Sequence, residues 1–168
     1  MRQPASIAII PDGNRRFAQK NALGLVDAYR AGFAKVQDVL SWTNGTDVSS
    51  VRLWALSLEN FQKRSQMELR ILFQLMRHQF RASLADPRFQ EEDIRVRFFG
   101  KKDLLPKSVQ DGMQKLEEKT AGHQKELGVA IAYSGREELA AAAQAAALDL
   151  QAGKIDAITE STLQSYLY

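Results

Sequence analysis

The stretch SIAIIPDGNRRF, residues 6–17, joins a short apolar run to a polar turn and two arginines. Three of its first five residues are isoleucine, which is typical of a buried strand, and the PDGN segment at 11–14 ends the run. A short apolar segment followed by a longer amphipathic one recurs along the chain. We therefore predict four strands, over Ser6–Ile10, Val51–Leu56, Ile94–Phe99 and Val129–Tyr133.

Apolar residues at helical spacing fill the segments between and after these strands. They predict helices over Tyr29–Trp42, Ser65–Leu84, Pro106–Lys125, Gly135–Leu150 and Thr159–Tyr168. Ser65 and Glu68 have the spacing of a capping box. Arg95 and Arg97 alternate with apolar residues, which suggests a strand near the sheet edge. Strands separated by helices indicate an α/β fold, with a parallel-sheet core flanked by helices.

Composition narrows the function classes. The 168 residues suit one domain, so we predict a single domain over residues 1–168. The absence of cysteine excludes disulfides and thiolate chemistry, and two histidines exclude a multi-histidine metal site. A formal charge of +3 without interleaved aromatic and basic residues argues against nucleic acid as a partner. No signal peptide or membrane-spanning run is recognisable, which predicts a cytoplasmic protein.

The carboxyl ends of parallel strands form the edge where open α/β sheets bind ligands. Polar residues follow every predicted strand at this edge. They are the segments 11–16 (PDGNRR), 57–61 (SLENF), 100–102 (GKK) and 134–136 (SGR). Three of the four contain basic residues, which favours an anionic ligand.

The first of these segments has the chemistry of a phosphate site. Gly13 allows the backbone to approach a ligand, and Arg15 and Arg16 offer planar donors for phosphate oxygens. The Asp12 carboxylate would repel an anion unless a cation lies between them, and Mg²⁺ bound by one carboxylate plus substrate phosphates meets that need. A solvated turn with a helix cap is the alternative interpretation.

The second segment and the helix after it suggest a substrate with two parts. Ser57 and Asn60 would orient a substrate or relay a proton, Glu59 would act as a base or a cap, and Lys63 or Arg64 would reach a second phosphate. Turn chemistry is again the alternative. The apolar face of the 65–84 helix is either plain core or the wall of a pocket for an apolar tail. That face consists of Leu69, Leu72, Phe73, Met76 and Phe80.

Five ordered segments resemble the cis-prenyltransferases, the family of undecaprenyl and dehydrodolichyl diphosphate synthases. IAIIPDGNRRFA at 7–18 is similar to the first signature of that family, and LWALSLENF at 53–61 to its Ser-x-Glu-Asn-aromatic signature. Shorter similarities are Ala31-Gly32, RVRFFG at 95–100 with Leu105-Pro106, and AIAYSGREEL at 130–139. The resemblance implies an undecaprenyl diphosphate synthase-like fold and a transferase that condenses an allylic diphosphate with isopentenyl diphosphate, using Mg²⁺.

The resemblance also implies roles for particular residues. Asp12 would be catalytic and the Mg²⁺ ligand, and Asn60 would be catalytic, helping with Ser57 to remove a proton from isopentenyl diphosphate. Arg64 is favoured over Lys63 as the basic contact. The remaining substrate-binding residues would be Gly13, Asn14, Arg15, Arg16, Phe17, Tyr29, Ser57, Leu58, Glu59 and Phe61. The family further implies a homodimer and peripheral membrane contact through the lipid product.

Several positions depart from the family pattern. Pro11 replaces a common Met and Ser6 a common His, while Leu25 and Tyr29 replace an Arg and a His at the head group. The later Arg-x-Ser-Asn signature is not among the 168 residues, so we expect the C-terminal part of the family domain to be lacking. These departures keep a second interpretation open, in which the protein is a non-catalytic isoprenoid-diphosphate-binding or partner subunit on the same fold.

Overall fold

A four-stranded parallel sheet is the centre of the fold, in a computed structural model that describes residues 5–43 and 45–168. The strand order is β1-β2-β4-β3, so β3 lies at an edge of the described sheet, as the alternating arginines predicted. Residues Ser6 to Ile9 of β1 pair with Ser50 to Leu53 of β2 in parallel register. The strands are β1 Ser6–Ile9, β2 Ser50–Ser57, β3 Ile94–Phe99 and β4 Lys125–Tyr133.

Eight helices accompany the strands in the described part of the chain. They are α1 Asn14–Lys20, α2 Leu25–Trp42, α3 Leu58–Lys63, α4 Gln66–Ala85, α5 Arg88–Glu91, α6 Lys107–Thr120, α7 Gly135–Gln151 and α8 Glu160–Gln164. Thr159 caps α8, and its side chain accepts a hydrogen bond from the backbone N–H of Thr162. No helix among the described residues is both long and apolar enough to cross a bilayer.

The core lies in the first of two compact units. This unit ends at Ala132, and the second unit runs Tyr133–Tyr168. Leu53, Val96, Phe98 and Ile131 face the core from the sheet, and Leu72, Met76 and Phe80 face it from α4. The single-domain assignment of residues 1–168 remains a prediction.

Two predicted helices extend past the observed C-terminal ends. The helix predicted to reach Tyr168 ends at Gln164. The pattern placed residues up to Lys125 in a helix, whereas α6 ends at Thr120 and Lys125 begins β4. The Thr120 hydroxyl donates to the Leu116 carbonyl and accepts from the Val96 amide at 3.0 Å, which fastens the end of α6 to β3. Lys125 then pairs with Ile94, and this long-range pairing overrides the local helical pattern.

Candidate functional site

The first two polar segments leave the sheet side by side, as predicted. β1 and β2 are parallel neighbours, so residues 10–13 and the turn at Ser57 follow adjacent carboxyl ends. The 100–102 segment follows β3, which β4 separates from this pair. Ser134, Gly135 and Arg136 belong to the second unit. We therefore place the candidate site on the first two segments.

The Asp12 carboxylate is held at the surface by two local contacts. Its Oδ1 accepts from the Gly13 N–H at 2.5 Å, and its Oδ2 pairs with the Arg16 guanidinium at 2.7 Å. Gly13 has φ +101°, in the left-handed region that favours glycine. Both side chains of the ion pair are 77% exposed. Exposed pairs of this kind contribute about 0–1 kcal/mol, so a ligand can replace either partner at little cost.

Asn14 is the first residue of α1 and lies against α2. A Cβ added at Gly32 would overlap the Asn14 side-chain oxygen, so a larger residue at 32 would force the Asn14 side chain to move. This packing accounts for the Ala31-Gly32 similarity found in the sequence. It also fixes Asn14 beside the Asp12 turn.

α1 presents its charged and aromatic side chains to solvent while Ala18 is buried. Arg15 and Arg16 are exposed, and Phe17 is 45% exposed. The first N–H groups of a helix have no intrahelical partner, and in α1 the first internal bond is from the Phe17 N–H to the Gly13 carbonyl. Together these groups form a basic, donor-rich surface next to Asp12.

The second segment is a helix start built on Ser57. Its hydroxyl accepts from the Asn60 N–H at 3.0 Å and caps α3, so the turn-chemistry interpretation is correct for the Ser57 oxygen. Asn60 and Glu59 are exposed. Leu58 and Phe61 are half-buried against the core, with the Phe61 ring centroid 6.4 Å from that of Phe73. The capping bond leaves the hydroxyl proton of Ser57 available to a ligand.

Lys63 and Arg64 have different surroundings, which separates the two candidates for the basic contact. Lys63 is exposed and pairs with Glu59 at 2.6 Å, a hydrogen bond that raises the pKa of Lys63. The Arg64 side chain is only 14% exposed. Its guanidinium lies 5.7 Å from the centre of the Tyr29 ring, and its Nε lies 3.3 Å from Glu68 Oε1. The preference for Arg64 remains a prediction, supported by this placement.

Tyr29 is buried and donates its hydroxyl hydrogen to Glu68 Oε1 at 2.8 Å. Burial and this hydrogen bond raise the pKa of Tyr29 to about 12, and the positive charges of Arg64 and Arg15 oppose the shift. Arg15 of the first segment therefore lies within electrostatic reach of Tyr29 on α2.

Glu68 is the site residue that the sequence analysis missed. The Ser65–Glu68 spacing suggested a capping box, and the Ser65 hydroxyl does accept from the Glu68 N–H at 3.2 Å. The Glu68 carboxylate turns inward instead, toward Tyr29 and Arg64. One signal was present, because Glu68 lies one turn before Leu72 on the apolar face of α4.

An apolar cavity of about 120 Å³ opens between α2, α4 and the sheet. Met76 and Phe80 line it from α4, while Leu69, Leu72 and Phe73 pack into the core instead. Two of the five residues of the predicted apolar face of α4 therefore line the cavity, and the other three belong to the packed core. Cavities of roughly 150 Å³ admit a benzene-sized guest, so the cavity fits a short apolar group. The other apolar lining residues are Phe33, Val36, Leu40, Leu53, Ala55, Phe89, Ile94, Val96, Phe98, Leu116, Leu127, Val129 and Ile131. The polar lining residues are Gln37, Ser41, Gln79, Ser83, Asp86, Arg88 and Glu92.

A metal site made by protein ligands alone is not found in residues 5–43 and 45–168, where no three His, Asp or Glu side chains converge. Mg²⁺ is commonly bound through one or two carboxylates, with the remaining ligands from water and substrate phosphates. The exposed Asp12 carboxylate fits that mode.

Comparison with known proteins gives the family. Residues 10–168 match the sequence profile of the family described as "Putative undecaprenyl diphosphate synthase". The chain belongs to this prenyltransferase family. The fold prediction is confirmed, since the family's parallel sheet flanked by helices is the observed architecture.

Two of the curated relatives that the chain matches come from archaea. The tritrans,polycis-undecaprenyl-diphosphate synthases of Archaeoglobus fulgidus and Sulfolobus acidocaldarius are each 38% identical over 168 residues. Both alignments cover 98% of this chain, but only 66% and 64% of the relatives. The chain thus spans slightly less than two thirds of their length.

Two solved structures have the same fold as this chain. Lavandulyl diphosphate synthase from Lavandula x intermedia, in complex with dimethylallyl diphosphate, superposes with a TM-score of 0.91 at 28% identity, covering 98% of this chain and 70% of that one. A probable undecaprenyl diphosphate synthase from Campylobacter jejuni gives a TM-score of 0.76 at 24% identity, covering 99% of this chain and 70% of that one.

Proposed function

We propose that this protein is a cis-prenyltransferase, which condenses an allylic isoprenoid diphosphate with isopentenyl diphosphate to make a longer polyprenyl diphosphate. The allylic C–O bond breaks and diphosphate leaves. A C–C bond forms to isopentenyl diphosphate, which loses a proton. The observation that carries the proposal is the exposed Asp12 carboxylate beside Arg15 and Arg16, at the edge where β1 and β2 end.

The first segment would bind the leaving diphosphate. The backbone at Gly13, the Asn14 amide and the two guanidinium groups of Arg15 and Arg16 offer donors to its oxygens. Mg²⁺ bound by Asp12 would supply positive charge where negative charge develops. Arg16 would then exchange its ion pair with Asp12 for a phosphate oxygen. Stabilising the leaving group in this way is the largest expected contribution to the rate.

The second segment would bind isopentenyl diphosphate and assist the loss of its proton. Asn60 and Ser57 would orient isopentenyl diphosphate and help relay the proton that it loses to the departing diphosphate, and Arg64 would bind a diphosphate oxygen. Glu59, through its carboxylate, and Tyr29 would complete the polar surroundings. Phe17, Leu58 and Phe61 would contact the hydrocarbon, whose tail would enter the apolar cavity beside Met76 and Phe80.

A binding or partner subunit without turnover is the second candidate. The observation in its favour is Leu25, where many family members have an arginine at the head group. Leu25 is half-buried and packs against the core. Calorimetric titration with an allylic diphosphate, with and without Mg²⁺, would detect binding in the absence of turnover.

Assembly and location are proposed on the same basis. We propose a cytoplasmic homodimer that contacts the membrane surface through its lipid product. Light scattering across a concentration series tests the dimer, and a vesicle flotation assay with and without product tests the membrane contact. A monomer throughout the series would contradict the first, and product-independent flotation the second.

The activity is tested by incorporation of radiolabelled isopentenyl diphosphate. Starters should run from dimethylallyl to geranylgeranyl diphosphate, since the archaeal relatives are named as specific for the latter. We expect incorporation with Mg²⁺, loss with EDTA and recovery when Mg²⁺ is added back. Binding without incorporation for every starter would favour the non-catalytic alternative, and incorporation unaffected by EDTA would contradict the Mg²⁺ assignment.

A further inference from the structure

Glu68 is a carboxylate placed where an apolar side chain is expected. It is 8% exposed and lies among the buried residues of α4, next to Leu69 and one turn before Leu72. Its N–H already has a partner in the Ser65 hydroxyl. The carboxylate itself is free to complete a capping box at the helix surface, yet it turns toward the core. Burial of a charge is costly, so this orientation needs a compensating partner.

Two partners meet the Glu68 carboxylate, each from a different part of the fold. The Tyr29 hydroxyl on α2 donates to Oε1 at 2.8 Å, and the Arg64 guanidinium, at the end of α3, approaches the same oxygen at 3.3 Å. A buried ion pair gives little net stability over well-packed apolar residues of the same volume. Stability alone therefore does not account for this arrangement.

These contacts orient the Arg64 side chain but do not use all of its hydrogen-bond donors. Its Nε is buried and has no hydrogen-bond partner among the described residues, since the approach to Glu68 lacks hydrogen-bond geometry. The face of the Tyr29 ring, 5.7 Å from the guanidinium, adds a cation–π contact. The backbone N–H of Arg64 donates to the backbone carbonyl of Asn60 at 3.0 Å, which connects Arg64 to the second segment.

We propose that Glu68 and Tyr29 are positioning residues that hold the Arg64 guanidinium ready for a diphosphate oxygen. This inference rests on the proposed function, because it assigns Arg64 to the substrate. The Glu68 charge fixes where the guanidinium lies, and the Tyr29 hydroxyl fixes the carboxylate. A pre-set arginine loses little conformational freedom when the anion arrives, which increases affinity.

A double-mutant cycle tests whether Glu68 acts through Arg64. Affinity for inorganic pyrophosphate would be measured by calorimetry for the full chain and for Glu68→Gln, Arg64→Lys and the double variant. Glu68→Gln keeps the size of the side chain and removes its charge. We expect it to weaken pyrophosphate binding about tenfold in the native background and less than twofold once Arg64 is lysine.

Controls separate positioning from general destabilisation. Glu118→Gln makes the same chemical change on the exposed surface of α6 and should leave affinity unchanged. Tyr29→Phe keeps the ring and removes the hydroxyl, so it should reproduce the loss and, if Glu68→Gln fails to fold, serve in its place. Circular dichroism would establish that each variant is folded.

The outcomes distinguish this inference from the proposed function. Equal losses for Glu68→Gln in both backgrounds, or no loss in either, would overturn the positioning role while leaving the proposed function intact. An unchanged affinity for Arg64→Lys would do the same. If the native chain binds neither pyrophosphate nor geranylgeranyl diphosphate, the proposed function fails and the positioning role fails with it.

Discussion

The Tyr29 hydroxyl is buried against the carboxylate of Glu68. Burial and the bond to Glu68 raise its pKa from 10.0 to about 12, which favours the neutral phenol in the folded state. The stabilising effect is therefore complete below pH 10 and is lost as the pH rises through 12. It amounts to at most about 3 kcal/mol of unfolding free energy.

Urea unfolding between pH 9 and pH 12 measures this effect. We expect the native chain to lose more stability over that interval than Tyr29→Phe, which has no hydroxyl to ionise. Tyr133 also has a pKa raised to about 12, but both chains contain it and its effect cancels in the difference. If the unfolding free energies of the two chains fell equally with pH, the raised pKa of Tyr29 would be contradicted.

The sequence predicted which segments lie side by side, but not the contacts of their side chains. The segments that contain Asp12, Arg16, Ser57 and Asn60 were expected at one sheet edge, and they do follow the neighbouring strands β1 and β2. Phosphate binding at that edge stays a prediction. The only sequence signal for the inward turn of Glu68 was its place on the apolar face of α4, because a capping box and a buried carboxylate share the same local spacing. Only the tertiary approach of Tyr29, 39 residues away, distinguishes them.

The C-terminal end of α6 is joined to β3 by one buried hydrogen bond. Thr120 is 1% exposed, and its hydroxyl satisfies the Val96 N–H of β3. Valine at this position has nearly the same shape but would leave that N–H buried without a partner. We expect Thr120→Val to lower the free energy of unfolding by about 1–3 kcal/mol.

Thr120→Ser is the matched control, since it keeps the hydroxyl and loses only the methyl group. In urea denaturation it should be more stable than Thr120→Val, although serine leaves a small void. Equal stability of the native chain and Thr120→Val would show that the hydrogen bond to β3 contributes nothing net.

Elements with strong local patterns were predicted well, and those set by long-range pairing were not. β3 agrees with its prediction residue for residue, because alternating arginines mark both its length and its edge position. The first four residues of β4 contain two charges and a glycine, which locally favour a turn or helix. Pairing of Lys125 with Ile94 makes them a strand.

The apolar cavity belongs to the scale of the whole molecule, because α2, α4 and the sheet all contribute to it. Ala55 on β2 lines this cavity with a small side chain, so Ala55→Leu would reduce its volume. We expect shorter polyprenyl products from that variant, measured by mass spectrometry, with pyrophosphate affinity unchanged. Ala34→Leu, on the exposed surface of α2, is the control and should leave the product lengths as they are.

An unchanged product distribution for Ala55→Leu would contradict the assignment of the hydrocarbon tail to this cavity. The cavity itself was only partly predictable from the sequence. Helical spacing marked an apolar face on α4, but packing of the whole unit decided which residues of that face line open space.

The Asp12 carboxylate is proposed to act in releasing diphosphate. The direct measurement is the rate of isopentenyl diphosphate incorporation by Asp12→Asn, beside Asp38→Asn as the control. Asp38 is another exposed aspartate in a local ion pair, with Lys35 on α2. We predict a fall of about 10²–10³-fold for Asp12→Asn and less than twofold for the control; native rates in both variants would contradict the account.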